Sequence, residues 1–397
     1  MTRTFRVLQM HNHHATLGGA MEVLADEAAL LTEAGHDVQQ LTLPAAEDMG
    51  LNPLQAGTRA IWNLPLTKDL KRRIDSFAPD VVHVHTPFPL MSPAIFRTAS
   101  TRGVPTVTTL HSYRYSCIAA TCLRDGAICE DCVGKSVKWP GIRHRCYHDS
   151  LGASSALTAG LALHRRLGTF DRHVDRFITL TDFAKDLLIR DGIRAEQIVV
   201  KPNSVPDPGE PDPGLPPRDD FVLYAGRLVP EKGIDTMLRA WSKVSGEREL
   251  RIAGSGDLID QVTAAAAIDS RIKPLGWLSM DETLDQMRRA ALVLIPSEWY
   301  EGLPLVLLRA QSVGAPIVIS DLENISRELL MDEAGVTFKV GDPKDLAQNL
   351  QGILDDPERG MRLGANARAA YLRRYTPTRN VAALEEIYGS LSTRDLR

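Results

Sequence analysis

The sequence lacks any apolar run that approaches the roughly 18 residues of a membrane-spanning helix. Its first residues, MTRTFRVLQMH, contain an apolar stretch too short for a secretory signal peptide. Both absences predict a cytoplasmic protein. A basic, partly amphipathic segment at 59–77 leaves open a peripheral contact with the inner face of a membrane. Pro65 interrupts that segment, and a solvated helix that packs on its own domain is the alternative.

The chain also lacks a strong charge of either sign. Its 46 lysines and arginines nearly balance 50 aspartates and glutamates, so the formal net charge is −4 over 397 residues. Because charges of both signs are dispersed, we expect no nucleic-acid partner. An anionic ligand would have to be held by local cations instead.

Internal repeats and low-complexity tracts are absent as well. A chain of this length folds into about two to three domains on the usual domain size. The most biased segment, PDPGEPDPGLPPRDD at 206–220, is dense in proline, glycine and aspartate. Such a composition does not form regular structure, so it predicts a linker between two lobes.

The stretch from Leu294 to Ser320, LIPSEWYEGLPLVLLRAQSVGAPIVIS, predicts a strand, an acidic loop, a helix and a second strand. Residues 292–295 form the continuous apolar run of a parallel strand buried on both faces. Gly302 permits a tight turn, and Pro304 suits the first position of a helix. The loop carries Glu301 to the carboxyl edge of the sheet, where open α/β sheets bind ligands.

A second unit of the same kind lies upstream at 221–238, FVLYAGRLVPEKGIDTML. Arg227 follows its strand, and Lys232 precedes Gly233 and the next helix. Two cations beside the free amides of a helix start predict a clamp for a diphosphate. Taken alone they could equally be solvated loop charges, and the acidic loop of the neighbouring unit favours the clamp.

Further motifs follow one another along the chain after a glycine turn near the N-terminus. They are VVHVHTP, a strand ending in TLH, KPNSV, GRLVPEKG, AGSGDL, LGWL and PSEWYEGLPLVLLRAQSVGAPIVIS. In this order they resemble the retaining, nucleotide-sugar-dependent glycosyltransferases of family 4. The resemblance covers most of the chain. It implies the α/β GT-B fold, with two Rossmann-like lobes facing a central cleft, a nucleoside-diphosphate sugar as donor, and no cofactor for catalysis.

The resemblance also implies roles for individual residues. Arg227 and Lys232 match the pair that holds the donor diphosphate. Glu301 matches the first acid of the family's E-x7-E motif and would orient the hexose hydroxyls. His111, in the TLH context, would hydrogen-bond a donor or acceptor hydroxyl. The remaining implied donor-binding positions are Gly18, Gly19, Asn203, Gly226, Gly254, Gly256, Gly302, Leu303, Pro304 and Arg309.

Two positions depart from the family pattern. The second acid of the E-x7-E motif is replaced by Arg309. In the family that acid resembles a clamp on the ribose of the donor, so Arg309 is the main support for a catalytically silent subunit. The alternatives are that Arg309 favours another donor or contacts a phosphate. The family's G-G-x-E element fits two registers here, since its acid falls on Met21 or on Glu22.

All five cysteines lie inside a segment at 112–150 that lacks hydrophobic periodicity. Disulfides are not expected in a cytosolic chain, and a C-x-x-C pair has the spacing of a structural zinc site, which could order such a segment. Reduced cysteines that merely pack are the alternative. The candidate zinc ligands are Cys117, Cys129, Cys132 and Cys146, with His144 or His148 as substitutes.

Together these features predict an acceptor-side lobe at 1–205 with the insertion at 112–150, a linker at 206–220, a donor-binding lobe at 221–374 and a C-terminal helix at 375–397 that returns to the first lobe. The predicted reaction moves a sugar from a nucleoside-diphosphate donor to a hydroxyl of a glycan or lipid-linked acceptor, with retention and without a catalytic metal. Synthesis of a surface polysaccharide or glycoconjugate is the expected setting. A catalytically silent partner subunit and a nucleotide-sugar epimerase-like enzyme are the alternatives.

Overall fold

The structure is a computed structural model that describes residues 3–13, 19–44, 48–209 and 218–391. Gly18 and most of the predicted linker lie outside these ranges. The chain divides into two compact units. The first comprises Met1–Arg124, Cys129–Asn203 and Thr378–Arg397, and the second comprises Asp125–Ile128 and Ser204–Pro377.

The first unit is built on a six-stranded sheet in the order β2-β1-β3-β4-β7-β8, with neighbouring strands parallel. The chain begins with β1 (Arg6–Asn12), β2 (Asp37–Leu43), β3 (Val81–Thr86), β4 (Thr106–Leu110), β5 (Leu123–Arg124), β6 (Ala127–Ile128), β7 (Arg176–Thr179) and β8 (Ile198–Val200). The short strands β5 and β6 lie in the cysteine-bearing insertion and form a separate two-stranded sheet, and the residues of β6 are assigned to the second unit. The helices of this half of the chain are α1 (Gly19–Glu33), α2 (Pro53–Ile61), α3 (Leu64–Phe77), α4 (Ala94–Ser100), α5 (Trp139–Arg143), α6 (Leu151–Arg166), α7 (Thr169–His173) and α8 (Asp182–Arg190).

The basic segment at 59–77 is divided between two helices. α2 ends at Ile61, and the side chain of Asn63 accepts a hydrogen bond from the amide of Leu66 to cap α3. Pro65 therefore lies in the first turn of α3, where its missing N–H costs nothing. Leu66, Leu70 and Ile74 turn inward, so α3 is held by an apolar face against the core.

The second unit has six parallel strands in the order β11-β10-β9-β12-β13-β14. These are β9 (Phe221–Ala225), β10 (Glu249–Ala253), β11 (Ile272–Gly276), β12 (Leu292–Ile295), β13 (Ile317–Ser320) and β14 (Gly335–Phe338). Its helices are α9 (Ile234–Trp241), α10 (Ile259–Ile268), α11 (Met280–Arg289), α12 (Leu305–Ser312), α13 (Glu323–Met331), α14 (Pro343–Leu354) and α15 (Pro357–Arg374). This is the 3-2-1-4-5-6 strand order of dinucleotide-binding sheets.

The strand predicted at 292–295 is confirmed as β12. Leu292 and Leu294 contribute to one apolar cluster and Val293 and Ile295 to another. Alternate side chains of one strand therefore enter two cores, one on each face of the sheet. That burial explains why the strand is apolar at every position.

The last helix, α16 (Pro377–Gly389), packs on the first sheet. Glu385 lies 3.1 Å from His36 Nε2, and the hydroxyl of Tyr388 lies 2.7 Å from His83 Nδ1. In the described ranges, no helix combines the length and the apolar composition needed to cross a membrane.

Candidate active site

The strand order of the second sheet reverses between β9 and β12. In an open parallel sheet, ligands bind outside the carboxyl ends of the strands at such a switch point. The loop after β9 carries Arg227 and Lys232, and the loop after β12 carries Glu301. The topology thus brings the predicted cations and the predicted acid to one edge of one sheet.

Lys232 and Glu301 form the central contact of this edge. Lys232 ends a short 3-10 turn, and its Nζ donates to Glu301 Oε2 at 2.7 Å, with both side chains largely buried. The hydroxyl of Ser297 donates to the other carboxylate oxygen, and Asn324 Nδ2 donates to the Glu301 carbonyl at 2.5 Å. These donors fix the position of Glu301 before any ligand arrives.

Arg227 is the more exposed cation. Its side chain is 47% exposed, and its guanidinium lies 3.7 Å from the carboxylate of Glu231. Tyr224 fixes the backbone beneath it by donating its hydroxyl to the Arg227 carbonyl at 2.7 Å. Burial, reinforced by the charge of Glu301, raises the pKa of Tyr224 and keeps that hydroxyl protonated. The backbone of Arg227 is therefore fixed by a hydrogen bond, while its side chain is accessible to solvent.

Backbone contacts between the loops require glycine at two of the motif positions. Gly233 has φ +71°, and a Cβ there would lie 1.9 Å from the carbonyl oxygen of Pro296 after β12. Gly254 has φ +146°, and its Cβ would lie 1.8 Å from the carbonyl oxygen of Gly226. The loops after β9, β10 and β12 touch through their backbones, so these glycines have a packing role that is independent of any ligand.

The helix after the acidic loop begins later than predicted. Pro304 has the extended backbone of a capping residue, with φ −70° and ψ 126°, and α12 starts at Leu305. Gly302 and Leu303 therefore belong to the loop, next to the buried Glu301. Arg309 lies in the second turn of α12 and is partly buried.

A second group of predicted residues lies at strand ends of the first sheet. His111 follows β4 and His85 lies in β3, and their rings are stacked with a 17° angle between planes. His85 Nδ1 and His111 Nε2 are 3.1 Å apart. His83 and His85 lie on one side of β3, since their ring centroids are 4.3 Å apart.

Burial lowers the pKa of His111 to about 4, with Glu27 opposing and Lys201 adding to that shift. Burial also lowers the pKa of His85 well below the ordinary value. Both rings are therefore neutral near pH 7, and each neutral ring has one N–H donor and one nitrogen acceptor. A neutral histidine suits hydrogen bonding to a sugar hydroxyl.

Asn203 and Gly19 lie in the first unit. Asn203 is buried, and its Oδ1 has no hydrogen-bond partner among the described residues. Gly19 is the first residue of α1, while Gly18 falls outside the described part of the chain. Their predicted roles at the donor stay predictions.

The cysteines occupy one neighbourhood without assembling the predicted zinc ligands. All five are free thiols in the structure. Among the described residues, which include every cysteine, no group of three ligand atoms within 4.8 Å of one another contains a thiol. Cys117 hydrogen-bonds with Cys122 instead, and that bond lowers the pKa of Cys117 to about 6. The zinc site stays a prediction without support.

A buried ion pair anchors the insertion. Lys138 is fully buried, and its Nζ donates to Asp191 Oδ1 at 2.5 Å and to the carbonyl of Cys132 at 2.9 Å. Arg165 donates to the other oxygen of Asp191 at 2.9 Å. The segment at 112–150 is thus tied to the helices of its own unit by protein groups.

The residues that hold Glu301 and those that lie near His85 were not predicted from the sequence. Ser297 and Asn324 donate hydrogen bonds to Glu301. Glu27 lies next to His85 and is paired with Lys201. The only sequence signal was a charged residue in an apolar context, such as Glu27 among the alanines and leucines of α1. That signal names no partner, because Glu27 and Lys201 are 174 positions apart.

Two family models match consecutive parts of the chain. The one described as Glycosyltransferase Family 4 matches residues 17–207, and the one described as Glycosyl transferases group 1 matches residues 210–370. The chain belongs to glycosyltransferase family 4. The resemblance stated from the motifs is therefore confirmed.

Curated relatives of this family 4 chain match it over part of their length. A stretch of 198 residues is 29% identical to D-inositol 3-phosphate glycosyltransferase 2 of Catenulispora acidiphila and covers 46% of each chain. A stretch of 154 residues is 31% identical to glycogen synthase of Mycobacterium tuberculosis and covers 37% of each chain. The chain thus spans less than half the length of either relative.

A solved structure matches nearly the whole chain. Anabaena Alr3699/HepE in complex with UDP has a TM-score of 0.69 over 97% of this chain and 100% of that chain, at 17% sequence identity. The likeness confirms the predicted α/β GT-B fold, with its two parallel sheets.

Proposed function

We propose that this protein is a retaining glycosyltransferase that moves a hexose from a nucleoside-diphosphate donor to a hydroxyl of a glycan or lipid-linked acceptor. The observation that carries the proposal is the grouping of Arg227, Lys232 and Glu301 at the switch point of a sheet with dinucleotide-binding order. Family membership supports the reaction class.

Arg227 and Lys232 would stabilise the departing diphosphate. An ammonium and a guanidinium both bind phosphate oxygens, and charge-assisted bonds of this kind are among the strongest in proteins. Both cations lie beside carboxylates, Glu231 and Glu301. The ammonium of Lys232 is largely buried against Glu301, so it would reorganise little when a diphosphate binds. Preorganised charge of this kind replaces a catalytic metal in the proposal.

Glu301 would orient the hexose. Its carboxylate is 2.7 Å from Lys232, so a sugar hydroxyl donating to Glu301 lies close to the cation that receives the leaving phosphate. The acceptor hydroxyl would enter on the face from which the diphosphate leaves, and the configuration is retained without a protein nucleophile. His111 would hydrogen-bond a hydroxyl of the donor or the acceptor.

The nucleotide is proposed to be UDP. Anabaena Alr3699/HepE, which has the same fold, is described in complex with UDP and with UDP-glucose. The base is the least constrained part of the proposal, because Arg309 replaces the acid that would meet the ribose.

We propose that the acceptor is lipid-linked and that the enzyme works at the cytoplasmic face of a membrane. α5 and its neighbours present Val137, Trp139 and Leu151, each about half exposed, next to exposed Arg143 and Arg145. An apolar and basic surface of this kind fits an anionic membrane.

The membrane proposal is tested by sedimentation with anionic vesicles. Trp139→Ala should weaken binding, while Trp277→Ala, which removes a more exposed tryptophan from the second unit, should not. Equal binding of both variants and the wild type would contradict the membrane proposal.

The reaction is tested by incubating the protein with UDP-, GDP- and ADP-hexoses and following nucleotide release, with and without a chelator. We expect release from the UDP-hexose, unchanged by the chelator, and an α-linked product from an α-linked donor by NMR. Release from a GDP- or ADP-hexose alone would overturn the choice of UDP. An inverted product would overturn retention, and loss of activity with the chelator would overturn metal independence. No release from any donor would overturn the proposed function.

A further inference from the structure

A buried chain of polar side chains leads from β8 to His111. Lys201 Nζ donates to Glu27 Oε1 at 2.5 Å, and Glu27 Oε2 faces His85 Nε2 at 3.4 Å. His85 Nδ1 then meets His111 Nε2 at 3.1 Å. Glu27, His85 and Lys201 are each at most 2% exposed. The four groups come from α1, β3 and the residues after β4 and β8, so this arrangement belongs to the fold of the first unit.

Of these four side chains, only Lys201 and Glu27 are charged. Burial alone would raise the pKa of Glu27, but Lys201 and His85 lower it below the ordinary value, so the carboxylate is ionised. Lys201 supplies the counter-charge. His85 and His111 are neutral near pH 7 because burial lowers the pKa of each ring. The Lys201–Glu27 pair is thus a fixed dipole next to two uncharged rings.

A metal ion does not fit this cluster. Glu27, His83 and His85 have ligand atoms within 4.8 Å of one another. However, Lys201 already holds Glu27, and an ammonium at 2.5 Å would repel a cation. Both ring nitrogens of His83 are also engaged, with Tyr388 at 2.7 Å and Thr109 at 2.8 Å. The residues present favour a cluster held by the Lys201–Glu27 ion pair and by hydrogen bonds between neutral groups.

The direction of the hydrogen bonds follows from the carboxylate. Glu27 Oε2 and His85 Nε2 lie 3.4 Å apart without a hydrogen bond between them, and the charge of the ionised carboxylate favours a proton on the nitrogen that faces it. Neutral His85 then has its lone pair on Nδ1, and His111 must donate from Nε2. The lone pair of His111 is left on Nδ1, where it can accept a hydrogen bond from a hydroxyl.

We infer that Glu27, held by Lys201, is a positioning residue that sets the tautomer of His111 through His85. The inference rests on the proposed function, in which His111 meets a hydroxyl of the donor or the acceptor. In this tautomer Nδ1 of His111 accepts a hydrogen bond from the hydroxyl and leaves the lone pairs of the hydroxyl oxygen free. The other tautomer would present an N–H that donates to the hydroxyl oxygen, which reverses the direction of the hydrogen bond.

The test is nitrogen NMR of the full-length protein labelled with 15N-histidine. In the wild type, His85 and His111 should both be protonated on Nε2. Glu27→Gln should populate the other tautomer of His111, because an amide can donate as well as accept. Glu385→Gln removes a carboxylate 3.1 Å from buried His36 in the same unit and should leave the tautomer of His111 unchanged.

Glu27→Gln leaves Lys201 buried without its counter-charge and can fail to fold. The double variant Glu27→Gln with Lys201→Met removes both charges and keeps the test independent of that failure. It should show the same mixed tautomers. Identical tautomers in the wild type and in a folded variant would overturn the inference.

Kinetics separates this role from a general loss of structure. Folded Glu27 variants should lower kcat by roughly 10- to 100-fold, by analogy with the loss of a group that orients a metal-bound histidine. KM for the donor should stay within about twofold, since the donor diphosphate is held elsewhere. An unchanged kcat would overturn the inference. A wild type that transfers no sugar would overturn the proposed function, and the tautomer of His111 would then decide the inference alone.

Discussion

The two sheets have six strands each and carry different chemistry at their strand ends. All eleven histidines of the chain lie before residue 174, and the stretch 204–377 has none. The first unit places neutral rings, His85 and His111, at the ends of its strands. The second places two cations there, Arg227 and Lys232, each beside a carboxylate.

This difference matches the two parts of the proposed reaction. A diphosphate carries permanent negative charge and is best met by groups that stay cationic at every physiological pH. A sugar hydroxyl is uncharged and is best met by a neutral group with a defined donor and acceptor. We infer that the second unit binds the charged diphosphate and that the first unit orients the sugar hydroxyl.

The largest effect is expected from the cations of the second unit. Arg227→Ala should lower turnover by roughly 100-fold, because a preorganised donor to a developing anion contributes on the order of 3 kcal/mol. The matched control is Arg239→Ala, since Arg239 is 63% exposed and paired with Asp235 on the surface of the same unit. The measurement is steady-state turnover of both variants. Near-normal turnover of Arg227→Ala would contradict the proposal that Arg227 binds the donor diphosphate.

A large stability effect is expected where the loops of the second unit touch. Gly254→Ala would place a Cβ 1.8 Å from the Gly226 carbonyl at φ +146°. We expect a loss of about 3 kcal/mol in the free energy of unfolding, from overpacking and backbone strain together. Gly276→Ala, at φ +69° with no atom within 4 Å, should cost only about 1 kcal/mol. Denaturant titration measures the free energy of unfolding of both variants. Equal losses of stability in the two would contradict the packing role of Gly254.

Acid should destabilise the first unit before the second. The pKa values of His111 and His164 are lowered by burial from 6.5 to about 4, so the unfolded chain binds more protons between these values. The stability from these neutral histidines is complete above pH 6.5 and is lost as the pH falls toward 4.

Hydrogen exchange at pH 7 and pH 5, corrected for intrinsic exchange rates, should show protection falling more in β3 and β4 than in β9 and β12. An equal loss of protection in the two units would contradict the expectation that acid destabilises the first unit more than the second.

The smallest effect is expected at Arg309. If Arg309 reaches a phosphate of the donor, Arg309→Glu should weaken nucleotide binding by about tenfold, through loss of a cation and gain of a repelling charge. Calorimetric titration with the nucleotide measures the change. Unchanged affinity would place Arg309 outside the donor site, and tighter binding would show that an acid at this position meets the ribose.

Local patterns predicted most of the second unit. The continuous apolar run at 292–295 is β12 at those bounds. The strand predicted as FVLYAG at 221–226 is β9, which ends one residue earlier at Ala225. Helix ends were less well predicted, because α12 begins only after the extended Pro304. Whether a residue caps a helix or begins it depends on its ψ angle. Proline fixes φ but allows both helical and extended ψ, so the sequence does not distinguish the two.

The groups behind the site could not be predicted. Glu27 and Lys201 meet only because α1 and the end of β8 converge in three dimensions. Lys201 opens the KPNSV motif, but the motif does not indicate that its lysine pairs with a carboxylate of α1. The same holds for Asn324, which reaches the carbonyl of Glu301 from α13. Sequence motifs mark side chains that face a ligand, whereas partners from distant elements depend on the packing of the whole unit.

The most direct test of the account is thermal stabilisation of the protein by UDP, GDP, ADP and CDP, each with and without a divalent metal. Nucleotide binding to the folded state alone stabilises it by about 2.7 kcal/mol at one hundred times the dissociation constant. We predict a clear shift with one nucleotide, unchanged by metal and lost in Arg227→Ala. No shift with any nucleotide would contradict the claim that the second unit holds a donor diphosphate, and would favour a catalytically silent subunit.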